Sequence, residues 1–381
     1  MPYSIAAIIP AAGYSSRMGR FKPLLPLGRT TVIQRLVSLF SKAGIRQITV
    51  VSGHRAFELQ NHLFASEAAV VYNPDYSRGM FSSILAGMAG LDPAAEAVFI
   101  LPADIPLIRE NTLLQLMQAF QQRQSPIIYP VFQGQRGHPP LIRRDLLNVA
   151  RHWNGDGGLR AFLEQHDAAA REVRLFDQGV VQDMDHPEDY EAVCARFPCL
   201  DLPTLEECRF LQQCCDTGPA VEAHCRLVAE TARALGRELN SLGFALDLDL
   251  LFCGGLLHDL VRHLPDHAAK GSQILADHGF SRVAAVVARH ADGCFGEQEP
   301  ITEQELVYLA DKLVQDQTRV SLEDRFQHKL EAFKDRPDAY AAVRLRLQRA
   351  RQSLERVEAA LGRSVESVGT SNIERRTSNF E

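Results

Sequence analysis

The stretch from Ile5 to Lys22 constrains this chain more than any other. Ile5 through Ile9 reads as a buried strand, and it breaks abruptly into Pro10-Ala11-Ala12-Gly13-Tyr14-Ser15-Ser16-Arg17-Met18-Gly19-Arg20-Phe21-Lys22. Such a small-residue loop, with paired serines and nearby cations, is a place to hold phosphate. Gly13 can adopt backbone angles closed to other residues and lets N–H groups approach an anion, while Arg17 and Lys22 add positive charge. The loop lacks the Gly-Lys-Ser/Thr end of a Walker A sequence and the Gly-x-Gly-x-x-Gly spacing of a dinucleotide loop.

Strand-like runs recur at 47–52, 69–72, 97–101 and 127–131, with amphipathic segments at 31–43, 80–88 and 111–121 between them. That alternation predicts an α/β domain with a mostly parallel sheet, whose ligand sits outside the carboxyl ends of the strands. On that edge falls Leu101-Pro102-Ala103-Asp104-Ile105-Pro106, where a carboxylate between prolines suits Mg²⁺ held against phosphates, although Asp104 equally suits a cap for a helix beginning near Arg109. Gly79, Ser82 and Ser83 follow the third run and offer backbone and hydroxyl groups to a base or ribose, though an N-cap explains either serine as well. Farther along come Arg136-Gly137-His138-Pro139-Pro140, then Gly155-Asp156-Gly157-Gly158-Leu159-Arg160, then Val181-Gln182-Asp183-Met184-Asp185. The last reads as strand-like, so only one of Asp183 and Asp185 faces a site.

At 381 residues the chain exceeds the usual ceiling for one core, and two domains are expected. A net charge of −6 argues against nucleic acid or an anionic membrane as partner. No basic leader opens the chain and no apolar run approaches the ~20 residues needed to cross a bilayer, so a cytoplasmic protein is expected. Cys194, Cys199, Cys208, Cys214 and Cys215 crowd one short stretch without any Cys-x-x-Cys spacing, and read as reduced thiols in packed helices rather than metal ligands.

Beyond that stretch the pattern turns wholly helical, with segments at 221–235, 248–264, 267–278, 282–290 and 303–317, and a long run through 325–361. His258-Asp259 ends an apolar helix, a costly place for bare polar groups. With His224 and Asp311 on other helices, this spacing suits a metal site in the core of a bundle. His263 and His278 fit no pattern and read as surface residues.

Ala-Ala-Gly-x-Ser-Ser-Arg-Met-Gly-x-x-Lys at 11–22, Asn73-Pro74 with Gly79, Ala103-Asp104-Ile105-Pro106, Gly137-His138-Pro139 and Asp183-Met184-Asp185-His186-Pro187-Glu188-Asp189 keep one order, and over about 4–197 the chain resembles the molybdenum cofactor cytidylyltransferases of the MobA-like nucleotidyltransferase superfamily. The resemblance implies Mg²⁺-dependent attack of a molybdopterin phosphate on the α-phosphorus of CTP, with pyrophosphate released. It assigns catalysis to Lys22, Arg17 and Asp104. It assigns nucleotide binding to Ala12, Gly13, Ser16 and Gly19, the nucleoside pocket to Gly79, Ser82 and Ser83, the pterin to Gly137 and His138, and Mg²⁺ to Asp104 and Asp185. Ala-Ala-Gly resembles the cytidylyl rather than the guanylyl branch; Ala103 departs from the glycine often found before the metal aspartate. A molybdoenzyme or its chaperone is the protein partner implied.

Over about 218–325 the chain resembles the HD phosphohydrolase superfamily, with His224, His258, Asp259 and Asp311 as the core ligands and His267 and His290 where dinuclear members place two more. This implies one or two divalent metals, Fe, Mn or Zn. The expected organisation is a Rossmann-like nucleotidyltransferase domain at 1–198, a cysteine-rich junction at 199–217, an all-α HD bundle at 218–330, a C-terminal helix at 331–368 and a flexible tail at 369–381. The rival readings are transfer to a sugar or other alcohol phosphate, and a non-catalytic cofactor carrier with a regulatory HD domain.

Overall fold

The computed structural model describes residues 4–123, 125–153, 156–291, 293–296 and 298–368, so Gly155 and the expected tail lie outside the described residues. The chain divides between Leu200 and Asp201 into two compact units.

The first unit runs β1 (Ile5–Pro10), a ribbon of β2 (Pro26–Leu27) and β3 (Thr30–Thr31), α1 (Val32–Lys42), β4 (Gln47–Ser52), α2 (Ala56–Leu63), β5 (Ala69–Tyr72), α3 (Met80–Ala89), β6 (Ala97–Ile100) and α4 (Glu110–Arg123). It continues through β7 (Ile127–Phe132), β8 (Gln135–Arg136), β9 (Leu141–Arg143), α5 (Arg144–Ala150), α6 (Gly158–Glu164), β10 (Ala170–Arg174) and α7 (Pro187–Arg196). The main sheet has the order β10-β7-β9-β6-β1-β4-β5, with β8 paired to β7. As the alternation predicts, the sheet is mostly parallel. The exceptions are β9, antiparallel to both β6 and β7, and the short β8, antiparallel to β7.

β1 lies between β4 and β6, and every one of its residues is buried, which is why it reads as an uninterrupted apolar run. Helices close the two faces. Val32, Ile33, Leu36, Val37, Leu39 and Phe40 form the buried stripe of α1, which starts at a reciprocal capping box between Thr31 and Gln34. On the face covered by α3, Ile84 and Met88 pack on Ile8, Val51, Val98 and Ile100, each such burial contributing about 1.5–3 kcal/mol. Because β1, β4, β5 and β6 run parallel, the loops that begin at Ala11, Gly53, Asn73 and Leu101 gather along one edge.

The second unit contains α8 (Leu205–Cys214), α9 (Pro219–Ser241), α10 (Leu248–Leu257), α11 (His267–Asp277), α12 (Ser281–Arg289), α13 (Glu303–Lys312), α14 (Leu322–Ala332) and α15 (Pro337–Leu361). Its centre is α10, apolar on nearly all sides. Gly255 lets it approach α9 closely: a Cβ there would stand 2.4 Å from the Ala229 Cα. His224 near the start of α9 and His258 at the end of α10 are brought together by that approach, their rings 5.3 Å apart.

Several expected boundaries shift. The stretch 182–186 is irregular rather than a strand, following a 3₁₀ turn at Gln178–Val181. α10 stops at Leu257, so His258 and Asp259 lie at its C-terminal end instead of inside a helix continuing to 264. α13 ends at Lys312 and a hairpin of β11 (Val314–Gln315) and β12 (Thr318–Arg319) follows, a small departure from an all-α unit. The run 325–361 is two helices, because Pro337 cannot continue α14 but suits the first position of α15.

Candidate functional site

The strand-edge loops of the first unit enclose a cleft of ≈ 290 Å³ lined by Ala12, Gly13, Tyr14, Ser15, Lys22, Tyr76, Gly79, Ser83 and Asp104, among others. Positive φ values in the first loop fall at Ser15 (55°) and Gly19 (66°) and not at Gly13. A Cβ at Gly13 would meet nothing within 4 Å, so the protein's own packing does not require glycine there. What that glycine keeps clear is the cleft. Gly79, by contrast, has φ 99° and ψ 176°, a conformation reserved for glycine.

Lys22 carries the electrostatics of this cleft. Only 9% exposed, it places Nζ 2.6 Å from Asp185 Oδ1 and 3.8 Å from Asp104 Oδ2, while its backbone N–H donates to Ser15 Oγ at 3.1 Å. Arg17, mostly exposed, donates to the other Asp185 oxygen at 2.6 Å. Hydrogen bonds from Lys22 and then Arg17 hold the Asp185 carboxyl below its ordinary range, whereas burial pushes that of Asp104 up. Asp185 thus stands beside Lys22, whereas Asp183 is exposed and its charge is felt by both Asp104 and His138. Ser16 and Gly19 are exposed on the outer part of the loop. Asp104 does not cap a helix through its side chain; it faces the cleft and Lys22.

Ser82 and Ser83 are organised by a residue that sequence reasoning left without a role. Asn73 Nδ2 donates to Ser82 Oγ at 2.9 Å and Ser83 Oγ at 3.0 Å, and its Oδ1 accepts from the Asp75 N–H. Ser83 lines the cleft. Two aromatic residues also escaped notice: the rings of Tyr14 and Tyr76 lie 5.4 Å apart on the cleft wall, with His54 5.2 Å from Tyr14. Their only signal was an aromatic residue within each of two glycine-bearing loops. Gly137 and His138 lie between β8 and β9, outside the cleft lining, where the His138 N–H donates to the Val180 carbonyl of the 178–181 turn at 2.7 Å. Burial lowers the His138 pKa, opposed by Asp183.

In the second unit all six expected ligands converge. His224, His258 and Asp259 present ligand atoms within 4.8 Å of one another, and so do Asp259, His267 and His290. Asp311 Oδ1 lies 3.2 Å from His224 Nε2 and 3.6 Å from His258 Nε2. Backbone carbonyls fix three of the rings: Nδ1 faces Asp316 in His224, Gly255 in His258 and Val287 in His290, so each Nε2 turns inward. His258 Nε2 is buried without a hydrogen-bond partner, a costly state that a metal relieves. Despite burial, Lys312, His224 and His258 hold Asp311 far below the usual carboxylate range. Imidazole and carboxylate donors of this kind fit a divalent metal, and the shared Asp259 fits two. When bound, such a metal supplies Lewis acidity and an activated water. Among the described residues the junction cysteines form no disulfide, His263 is exposed and His278 is half-buried.

A parallel-sheet edge that brings a phosphate loop, a buried lysine and a carboxylate to one cleft is the architecture of a nucleotidyltransferase, and the helical unit is a metal-binding bundle. The first unit belongs to the MobA-like NTP transferase domains, matched over residues 7–170, and the second carries an HD domain, matched over 221–316. Among curated proteins the chain is 28% identical over 195 residues to the molybdenum cofactor cytidylyltransferase of Escherichia coli K12, covering 51% of this chain and 97% of that one. It is also 28% identical over 194 residues to the nicotine blue oxidoreductase of Paenarthrobacter nicotinovorans, covering 48% and 93%. A solved homologue of Rv0371c from Mycobacterium sp. strain JC1 is 26% identical with a TM-score of 0.46, covering 52% of this chain and 98% of that one. Among the described residues no helix is long and apolar enough to cross a membrane.

Proposed function

We propose that the first unit transfers the cytidylyl group of CTP to the phosphate of molybdopterin, carrying molybdenum or not, and releases pyrophosphate, and that the second unit is a metal-dependent phosphohydrolase. The observation that carries the first half is Lys22, held with its charge between Asp185 and Asp104 at the wall of the cleft.

Transfer needs little covalent help from the protein. An oxygen of the acceptor phosphate attacks the α-phosphorus in line, the bond to the pyrophosphate oxygen breaks, and pyrophosphate leaves with the electron pair. Lys22 and Arg17 neutralise charge on the phosphates, and the N–H groups around Gly13 leave room for them to approach. Asp104, with Asp185, would hold Mg²⁺, which supplies further charge neutralisation on the triphosphate. Tyr14 and Tyr76 would shield the nucleoside from water, and Gly137 and His138 would face the pterin.

Support for the acceptor comes from the name of the E. coli relative. A relative of equal identity bears an oxidoreductase name, so the acceptor requires a direct test. Pyrophosphate release is measured with Mg²⁺ and molybdopterin against CTP, GTP and ATP, with Asp104→Ala as control. CTP-selective release abolished by the substitution is expected. Equal release with a sugar phosphate as acceptor would move the assignment to that class.

A further inference from the structure

Helix α14 lies beyond the residues matched by the HD domain, yet it delivers cations to the metal centre. Arg325, whose side chain is only 12% exposed, places a guanidinium nitrogen 3.4 Å from Asp311 Oδ1. Lys329 is one turn further on the same face. Its side chain is exposed, and its pKa is lowered by partial desolvation and by the nearby charges of Arg325, Lys312 and Arg346, opposed by Asp311.

The two carboxylates of the centre already have cationic partners. Lys312 Nζ is 2.6 Å from Asp311 Oδ2, and Arg262 is 2.8 Å from Asp259 Oδ2. Two of the acidic residues of α14 are already matched, Glu323 by Arg351 and Glu331 by Lys334, while Asp324 accepts from Ser321 and keeps its charge. Arg262, Lys312 and Arg325 thus already match the charges of Asp259 and Asp311 before any divalent metal binds, and each metal adds positive charge. Such a cluster repels itself unless an anion of high charge enters.

We propose that Arg325 and Lys329 form an anion subsite beside the metal centre, which takes the second phosphate group of a substrate bearing two or more phosphates. The subsite rests on the reading of the second unit as a metal-dependent phosphohydrolase, and it narrows the substrate to a pyrophosphate-type or multiply phosphorylated compound. One phosphate lies at the metal centre, and its neighbour lies against α14. Arginine offers paired donors to phosphate oxygens and lysine a point charge, so the pair suits a mobile, highly charged group.

The test uses the full chain carrying Lys22→Ala, which removes the principal cation of the first cleft, loaded with Mn²⁺. Titration calorimetry compares inorganic pyrophosphate with inorganic phosphate, and bound manganese is counted in every variant. The expected result is binding of pyrophosphate at least about tenfold tighter than phosphate. Adding Arg325→Gln and Lys329→Gln should erase that preference with manganese content unchanged, while Arg325→Lys with Lys329→Arg should retain most of it. Equal affinity for the two anions, or a preference that survives both glutamine substitutions, would overturn the subsite while leaving the metal centre standing. Failure of the parent chain to bind manganese, zinc or iron would overturn the metal centre and the subsite together.

Discussion

Lys22 Nζ lies 2.6 Å from Asp185 Oδ1, joining the loop after β1 to a segment 163 residues further along the chain. Neither partner owes its position to the other's element. Lys22 opens a short 3₁₀ turn at Lys22–Leu24, and the Asp185 N–H is fixed by Asp189 at the start of α7. Their meeting closes the cleft at its charged end.

Replacement of Lys22 by methionine should lower nucleotidyl transfer by about 10²–10³, the scale expected when one donor to a developing charge is lost. Steady-state pyrophosphate release is the readout, with circular dichroism as a check on folding. A rate within a few-fold of the parent chain would confine Lys22 to pairing with Asp185.

Gly137→Ala should destabilise the first unit by about 1–3 kcal/mol. A Cβ at this position would stand 2.2 Å from the Val180 carbonyl oxygen, and backbone is a poor thing to displace. Thermal unfolding should show a lowered midpoint, and the His138 segment should exchange its amide hydrogens faster.

His138 gives the first unit a pH dependence with a definite sign. Burial lowers its pKa in the folded chain, so between that value and the unfolded value of about 6.5 the unfolded chain binds more protons. Its contribution to stability is therefore present above about pH 6.5 and is lost as pH falls toward the folded pKa. Thermal midpoints from pH 7.5 to 5 should fall less steeply in His138→Gln than in the parent chain; identical slopes would count against this assignment.

The second unit should release metal when His258 becomes alanine. His258 Nε2 makes no hydrogen bond in its buried setting, so its donor atom is available to an ion. Metal analysis should show a clear loss of bound ion, whereas exposed His263→Ala should leave the content unchanged. Removing metal from the parent chain by chelation should also lower its unfolding midpoint, because an ion bound only by the folded state stabilises it.

Much of this was legible in the residue pattern, and for physical reasons. β1 is buried on both faces, so its apolar run and the abrupt loop after it announced a central strand and a cleft. His258 and Asp259 were legible because polar groups at the end of an apolar helix need partners, which His224 and Asp311 on other helices could supply; His267 and His290 came only from the resemblance to the HD superfamily. Antiparallel β9 was not legible: three residues carry too little pattern to give direction. The Asn73 bonds to Ser82 and Ser83 depend on a loop folding back, and the cationic face of α14 on where that helix packs; neither is a local property of sequence.

The most direct test follows the label in α-³²P CTP through a single turnover with Mg²⁺ and molybdopterin. The account predicts labelled cytidylyl on the pterin phosphate, with one pyrophosphate released per label transferred and neither product formed by Asp104→Ala. Label that stays in CTP or appears as free CMP, or that passes to a sugar phosphate in preference to the pterin, would contradict it.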